Sequence, residues 1–152
     1  MRVIVAIVGR DRAGPARDLF EDYRRRCPWP IDLVSVAPRR ISPVPRRLAE
    51  ESERLLKAVP GGATLVALDE RGRELDSQEF ARRIDRWQSQ GTGVLAFAIG
   101  GPDGLAPTVL ERAELVLALG RMTWPHGLVR VMLAEQLYRA GALLAGHPYH
   151  RE

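Results

Sequence analysis

A chain of 152 residues has room for one domain of ordinary size, and 45% hydrophobic with 28% charged residues is a globular composition that excludes a disordered tract or a fibre. The net charge of +4 is unevenly spread: residues 1–60 hold 13 basic and 8 acidic side chains, whereas residues 61–152 hold 10 and 11. Cys27 is the only cysteine, which excludes an internal disulfide framework and suits a residue packed as a small hydrophobe near a helix end.

In chain order, Val3–Val8 is a continuous Val/Ile-rich run, the pattern of a strand covered on both faces. It is too short for the apolar region of a signal peptide, and no small-residue cleavage site follows, so a cytoplasmic protein without a membrane segment is expected. Pro15–Arg26 predicts a helix with Pro at its start and Leu19, Phe20 and Tyr23 at helical spacing. Ile31–Val36 predicts a second strand, after the breaker Pro28-Trp29-Pro30. A Pro- and Arg-rich loop, Ala37–Pro45, leads into a charged amphipathic helix over Arg46–Val59, stopped by Pro60-Gly61-Gly62.

The alternation then repeats. A strand over Ala63–Leu68, a turn over Asp69–Gly72, a helix over Ser77–Gln90 and a strand over Val94–Ile99 are predicted, with Ser77 as N-cap and no capping box, since Phe80 stands three residues on. A short helix over Pro107–Ala113, a last strand over Leu115–Leu119 and a helix over Gly127–Leu144 complete the pattern. That helix is apolar on most faces, as expected of one buried in the core or against a second subunit. Strands alternating with helices predict one α/β domain, residues 1–152, with a mainly parallel sheet and helices on both faces.

In open α/β sheets ligands bind beyond the carboxyl ends of the strands, which selects the loops after Leu68, Ile99 and Leu119. Gly100 and Gly101 permit close approach of a ligand or a positive φ, and Pro102-Asp103-Gly104 suits a tight turn with Pro at its second position. This loop has neither a dinucleotide fingerprint nor the Lys-Ser/Thr of a phosphate loop, and a purely structural corner explains it as well. The segment Leu119-Gly120-Arg121-Met122-Thr123-Trp124-Pro125-His126 offers apolar, aromatic and main-chain groups that suit a flat heterocycle. His126 stands where the last helix begins, so helix capping competes with a functional role.

Arg130 and Arg139 are nine residues apart and therefore on opposite faces of that helix, unable to serve one site through one face. Glu135 precedes Arg139 by four, the spacing of an intrahelical ion pair; a role in holding a phosphate or a substrate carbonyl is the alternative. His147 and His150 lack companions for a metal site. Arg24-Arg25-Arg26, Arg39-Arg40 and Arg46-Arg47 could contact a phosphate backbone. Lys57 is the only lysine, so a compositional bias toward arginine accounts for these runs equally well.

Four runs, Ile99-Gly100-Gly101-Pro102-Asp103-Gly104-Leu105, Met122-Thr123-Trp124-Pro125-His126 with Val129-Arg130-Val131, Ala134-Glu135-Gln136-Leu137-Tyr138-Arg139-Ala140, and His147-Pro148-Tyr149-His150-Arg151-Glu152, together resemble the ribosomal RNA large-subunit methyltransferase H family. The resemblance spans essentially the whole chain and is closest after residue 94. It implies the SPOUT class of S-adenosylmethionine enzymes, a C-terminal trefoil knot, a homodimer, and methylation of N3 of a pseudouridine in helix 69 of 23S ribosomal RNA, in the large subunit or the assembled ribosome. It further implies a cofactor site at Leu68, Gly100, Gly101, Leu119, Gly120, Arg121, Met122, Thr123 and Trp124. The acceptor pocket would take Tyr149, His150 and Arg151, with Arg139 and His126, and no metal. A non-catalytic RNA- or ribosome-binding module remains the alternative on the residues alone.

Overall fold

The computed structural model describes residues 1–151, and of His150 and Arg151 the backbone only. Five strands, β1 (Arg2–Val8), β2 (Ile31–Val36), β3 (Thr64–Glu74), β4 (Val94–Ile99) and β5 (Leu115–Ala118), form one sheet in the order β2-β1-β4-β3-β5, and every pairing is parallel. The helices between them are α1 (Pro15–Arg26), α2 (Val44–Ala58), α3 (Ser77–Ser89) and α4 (Pro107–Arg112). The long helix α5 (His126–Leu144) follows β5, and a 3-10 turn over Pro148–Arg151 closes the described chain.

The uninterrupted apolar runs of β1 and β4 resolve into two faces, because successive side chains of a strand point to opposite sides. Val3, Val5 and Ile7 with Leu95, Phe97 and Ile99 face the layer that holds Phe20 of α1, Ile84 and Trp87 of α3, and Leu133 and Leu137 of α5. Ile4, Ala6 and Val8 with Ala96 and Ala98 face the layer that holds Leu55 of α2 and Val109 of α4. The face with larger side chains therefore carries three helices, and the alanine-rich face carries two. Complete burial of each large apolar side chain is worth about 1.5–3 kcal/mol, so this double-sided core is what holds the sheet.

Two differences from the sequence reading have a physical cause. Asp69–Gly72 is not the end of a strand: β3 pairs with β5 through Val66–Leu68, shifts register, and pairs again through Arg73 and Glu74. The intervening residues form a bulge, held down at Gly72, where a Cβ would lie 2.7 Å from the Val116 carbonyl oxygen. The N-cap of α3 is Asp76 rather than Ser77, and a capping box is present. The Asp76 carboxylate accepts from the Glu79 N–H at 2.7 Å and the Glu79 carboxylate from the Asp76 N–H at 2.8 Å. Ser77 instead donates to Gln136 of α5 at 2.7 Å. A shift of one residue in the cap had hidden the Asp-x-x-Glu pattern.

α5 is buried along Val131, Leu133, Ala134, Leu137 and Ala140, while Leu128 and Leu144 stay exposed at its two ends. At Gly141 it lies against Pro28, where a Cβ would collide with the proline ring. Cys27 is partly buried beside this contact, and burial pushes its thiol up, as suits a packing residue. Among the described residues no helix is long and apolar enough to cross a membrane.

Candidate functional site

Because all five strands run parallel, their carboxyl ends share one edge of the sheet, and the loops that leave them meet there. The β3 bulge and the loops after β4 and β5, with the first turn of α5, enclose a cavity of about 820 Å³, within the range of small-molecule sites. Leu68, Ile99, Leu117, Leu119 and Val129 form its apolar wall. Asp69, Glu70 and Arg71 enter from the β3 bulge, Gly100–Gly104 from the turn after β4, and Gly120 with 122–126 from the connection between β5 and α5.

The turn after β4 is built as its sequence suggests. The Gly104 N–H donates to the Gly101 carbonyl at 2.9 Å across Pro102-Asp103, and Gly104 has φ +81°. A Cβ on Gly100 would run into the Gly104 carbonyl, so the turn itself demands glycine there. Asp103 is gripped from outside by Arg47, whose Nε and Nη2 lie 2.9 and 2.8 Å away.

In the bulge, Arg71 donates to both oxygens of Asp69 at 3.1 Å. These bonds hold the Asp69 carboxyl below its usual range. Glu70 accepts from the Thr123 hydroxyl at 2.6 Å, which ties the bulge to the last loop. Within that loop the Trp124 indole donates to the Leu119 carbonyl at 3.2 Å. Met122 and Trp124 remain 73% and 42% exposed, unusual values for an apolar pair on a cavity wall. His126 opens α5 at the cavity edge and packs on Gly9, whose absent Cβ would sit 3.5 Å from its Nε2.

Thus Leu68, Gly100, Gly101, Leu119, Gly120, Met122, Thr123, Trp124 and His126 are brought together, and Arg121 is not among the lining residues. Arg139 and Tyr149 stand elsewhere. Thirteen residues separate Arg139 from His126 along α5, about 20 Å of helix. There the Glu135 carboxylate accepts from Arg139 Nε and Nη2 at 2.9 and 2.6 Å and from the Tyr149 hydroxyl at 3.2 Å. Burial, with the Tyr23 hydroxyl and the Glu135 charge, pushes the Tyr149 phenol up, and Glu135 keeps Arg139 firmly protonated. Arg26 of α1 lies over the rings of Tyr23, Tyr138 and Tyr149, with 4.4 Å to the Tyr138 centroid. The side chains of His150 and Arg151 lie outside the described residues.

Arg130, on the opposite face of α5, is buried and bonded to Asp11 at 2.7 Å. Among the described residues its Nε has no hydrogen-bond partner. The basic runs prove largely self-neutralised. Arg24 pairs with Glu21, Arg25 and Arg26 with Asp22, Arg39 and Arg46 with Glu50, and Arg47 with Asp103. Sequence reasoning missed the bulge carboxylates Asp69 and Glu70 and the ring cluster around Arg26. The former had a signal, the loop after Leu68; the latter depends on the contact between α1 and α5, which no local pattern encodes.

A family model described as "Predicted SPOUT methyltransferase" matches residues 1–150. A protein of Rhodospirillum centenum named "Ribosomal RNA large subunit methyltransferase H" is 58% identical over 151 residues, with 99% of each chain covered. One of the same name from Paramagnetospirillum magneticum is 51% identical over 151 residues, again with 99% of each covered. Among solved structures, a probable methyltransferase from Bordetella pertussis superposes with a TM-score of 0.58 at 18% identity, covering 91% of this chain and 95% of that one. At that identity the likeness is one of fold.

Two outcomes test this geometry. Gly100→Ala should cost about 1–3 kcal/mol in denaturant unfolding, the price of overpacking, whereas Gly61→Ala, with nothing within 4 Å, should be neutral. The Asp69–Arg71 pair depresses a carboxyl, so its stabilisation is complete above the ordinary carboxylate range and is lost as pH falls through the depressed value. The stability gap between wild type and Arg71→Gln should therefore be present at neutral pH and close in acid; a gap unchanged in acid would contradict the pairing.

Proposed function

Because this chain belongs to the SPOUT methyltransferase family, among the large-subunit methyltransferase H proteins, we propose that it methylates N3 of a pseudouridine in helix 69 of 23S ribosomal RNA, using S-adenosylmethionine. The relatives' name and the motifs of the last third support the acceptor. The charge of the cavity wall supports the donor.

Asp69, Glu70 and Asp103 line the cavity, and among its described residues Arg71 is the one Arg or Lys, already paired with Asp69. Even with Arg47 counted against Asp103, the wall keeps a net negative charge. Such a wall disfavours a nucleotide phosphate and suits a cationic sulfonium, while the apolar side formed by Leu68, Leu117 and Leu119 suits adenine. Volume, apolar wall and charge thus all fit S-adenosylmethionine. When bound, that group supplies an electrophilic methyl on sulfur.

The chain's own tasks are then to orient two reactants and to manage one proton. Orientation is worth roughly 7–11 kcal/mol in favourable intramolecular models. The imide proton on N3 must leave, and the anion that remains needs a cation beside it. Arg139, held protonated by Glu135, stabilises that anion, with Arg151 as a second cation and His150 as the base that competes with this reading. Tyr149, its phenol pushed up and its hydroxyl donating to Glu135, stays neutral and holds that carboxylate beside Arg139.

Arg139 lies about 20 Å of helix from His126 and Tyr149 is bonded beside it through Glu135, so one protomer does not bring this pair to its own cavity. The reading therefore includes a homodimer in which the tail of one protomer covers the cavity of the other, where Met122 and Trp124 stand exposed. The C-terminal trefoil knot and a cytoplasmic location belong to the same proposal.

Saturating S-adenosylhomocysteine should raise thermal stability, by about 2.7 kcal/mol at 100 times its dissociation constant. Absence of any shift would favour a non-catalytic RNA- or ribosome-binding module. Loss of the gene should remove the N3-methylated pseudouridine from 23S ribosomal RNA in mass spectrometry; its persistence would defeat the assignment. Tyr149→Phe and Arg139→Ala should abolish methylation with S-adenosylhomocysteine binding intact.

A further inference from the structure

The arginines around the cavity fall into two groups, those locked to carboxylates and those without one. Arg39 and Arg46 share Glu50, and Arg47 holds Asp103. A phosphate that approached any of these would meet the carboxylate too, well within one Debye length of about 8 Å at physiological salt. Besides Arg73 of β3, Arg82 and Arg86 of α3 and Arg112 of α4, the exposed arginines without a carboxylate partner among the described residues are Arg10, Arg12, Arg40 and Arg121.

All four lie on loops that leave the carboxyl edge of the sheet, and each neighbours a residue fixed to the cavity frame. Arg10 and Arg12 flank Asp11, which is anchored to buried Arg130 at 2.7 Å and to Arg17 at 3.4 Å. The same loop starts at Gly9, on which the cavity residue His126 rests. Arg40 precedes Ile41, whose carbonyl accepts from Arg47 at 3.2 Å while Arg47 grips Asp103 of the cavity turn. Arg121 stands between Gly120 and Met122, both of which line the cavity. The one acid among these anchors, Asp11, is turned to Arg130 and Arg17, and the four arginines are left to solvent.

The result is an acidic centre inside a basic rim. Phosphates are repelled from the first and attracted to the second, so an RNA strand is steered to lie across the edge with its backbone on the rim and an uncharged base over the cavity. We infer that Arg10, Arg12, Arg40 and Arg121 form the phosphate-contacting footprint for the RNA acceptor. This rests on the proposed RNA methylation and adds residues to it. It also reassigns Arg121 from the methyl donor to the acceptor's backbone.

The test is the salt dependence of binding to unmodified large ribosomal subunits by the full chain, R10A/R12A, R40A and R121A. R82A/R86A, on the exposed side of α3, is the control for net charge. Each footprint arginine removed should weaken binding and lower the log–log salt slope by about one, with S-adenosylhomocysteine affinity unchanged and the α3 variant at the wild-type slope. Wild-type slopes in the rim variants, or an equal loss in the α3 variant, would overturn the footprint while the methyltransferase reading stood. Failure of wild type to bind either S-adenosylhomocysteine or the ribosomal subunit would overturn both.

Discussion

Parallel pairing of β1 with β2 and β4, and of β3 with β4 and β5, obliges every strand to end on the same edge of the sheet. Each functional feature of that edge follows from this directionality. A strand reversed anywhere in the sheet would carry its loop to the far side and open the cavity. The constraint is held by burial on both faces of β1 and β4, where alternating side chains feed two separate helix layers. The loops carry charge at their tips, while Leu105 of the loop after β4 and Leu119 of the loop after β5 still pack on the core.

What those loops carry was legible to different degrees. The tight turn at Gly101–Gly104, the loops after Leu68, Ile99 and Leu119, and the opposition of Arg130 and Arg139 all follow from local spacing, and local spacing survives folding. The second half of β3 does not. Asp69–Glu74 is almost entirely charged and its first four residues, Asp69–Gly72, read as a turn; the segment becomes strand only because β5 pairs with it a second time after the register shift. Glu70 and Asp69 reach the cavity by that tertiary device. The capping box of α3 was obscured by a single position, Asp76 for Ser77.

Charge shows the same limit. Counting arginines in the first 60 residues points to Arg39, Arg46 and Arg47 as readily as to Arg10 and Arg12. Only the folded arrangement separates them, through Glu50, Asp103 and the buried Arg130. Exposed ion pairs contribute roughly 0–1 kcal/mol to stability; their larger effect here is on which cations retain an external field.

Helix α5 sets the remaining geometry. It is one continuous helix, buried along one face, and carries His126 at one end and, toward the other, Glu135 and Arg139, to which Tyr149 is bonded. No rotamer change spans the separation, so a site that uses both ends needs two copies of the helix. The most direct test mixes two variants expected to be inactive, Leu119→Trp to fill the cavity and Arg139→Ala to remove the proposed acceptor cation. Random pairing into dimers should restore about a quarter of wild-type methyl transfer, since half the dimers are mixed and each holds one intact site. A mixture that forms mixed dimers yet stays as inactive as its components would contradict a site shared between protomers.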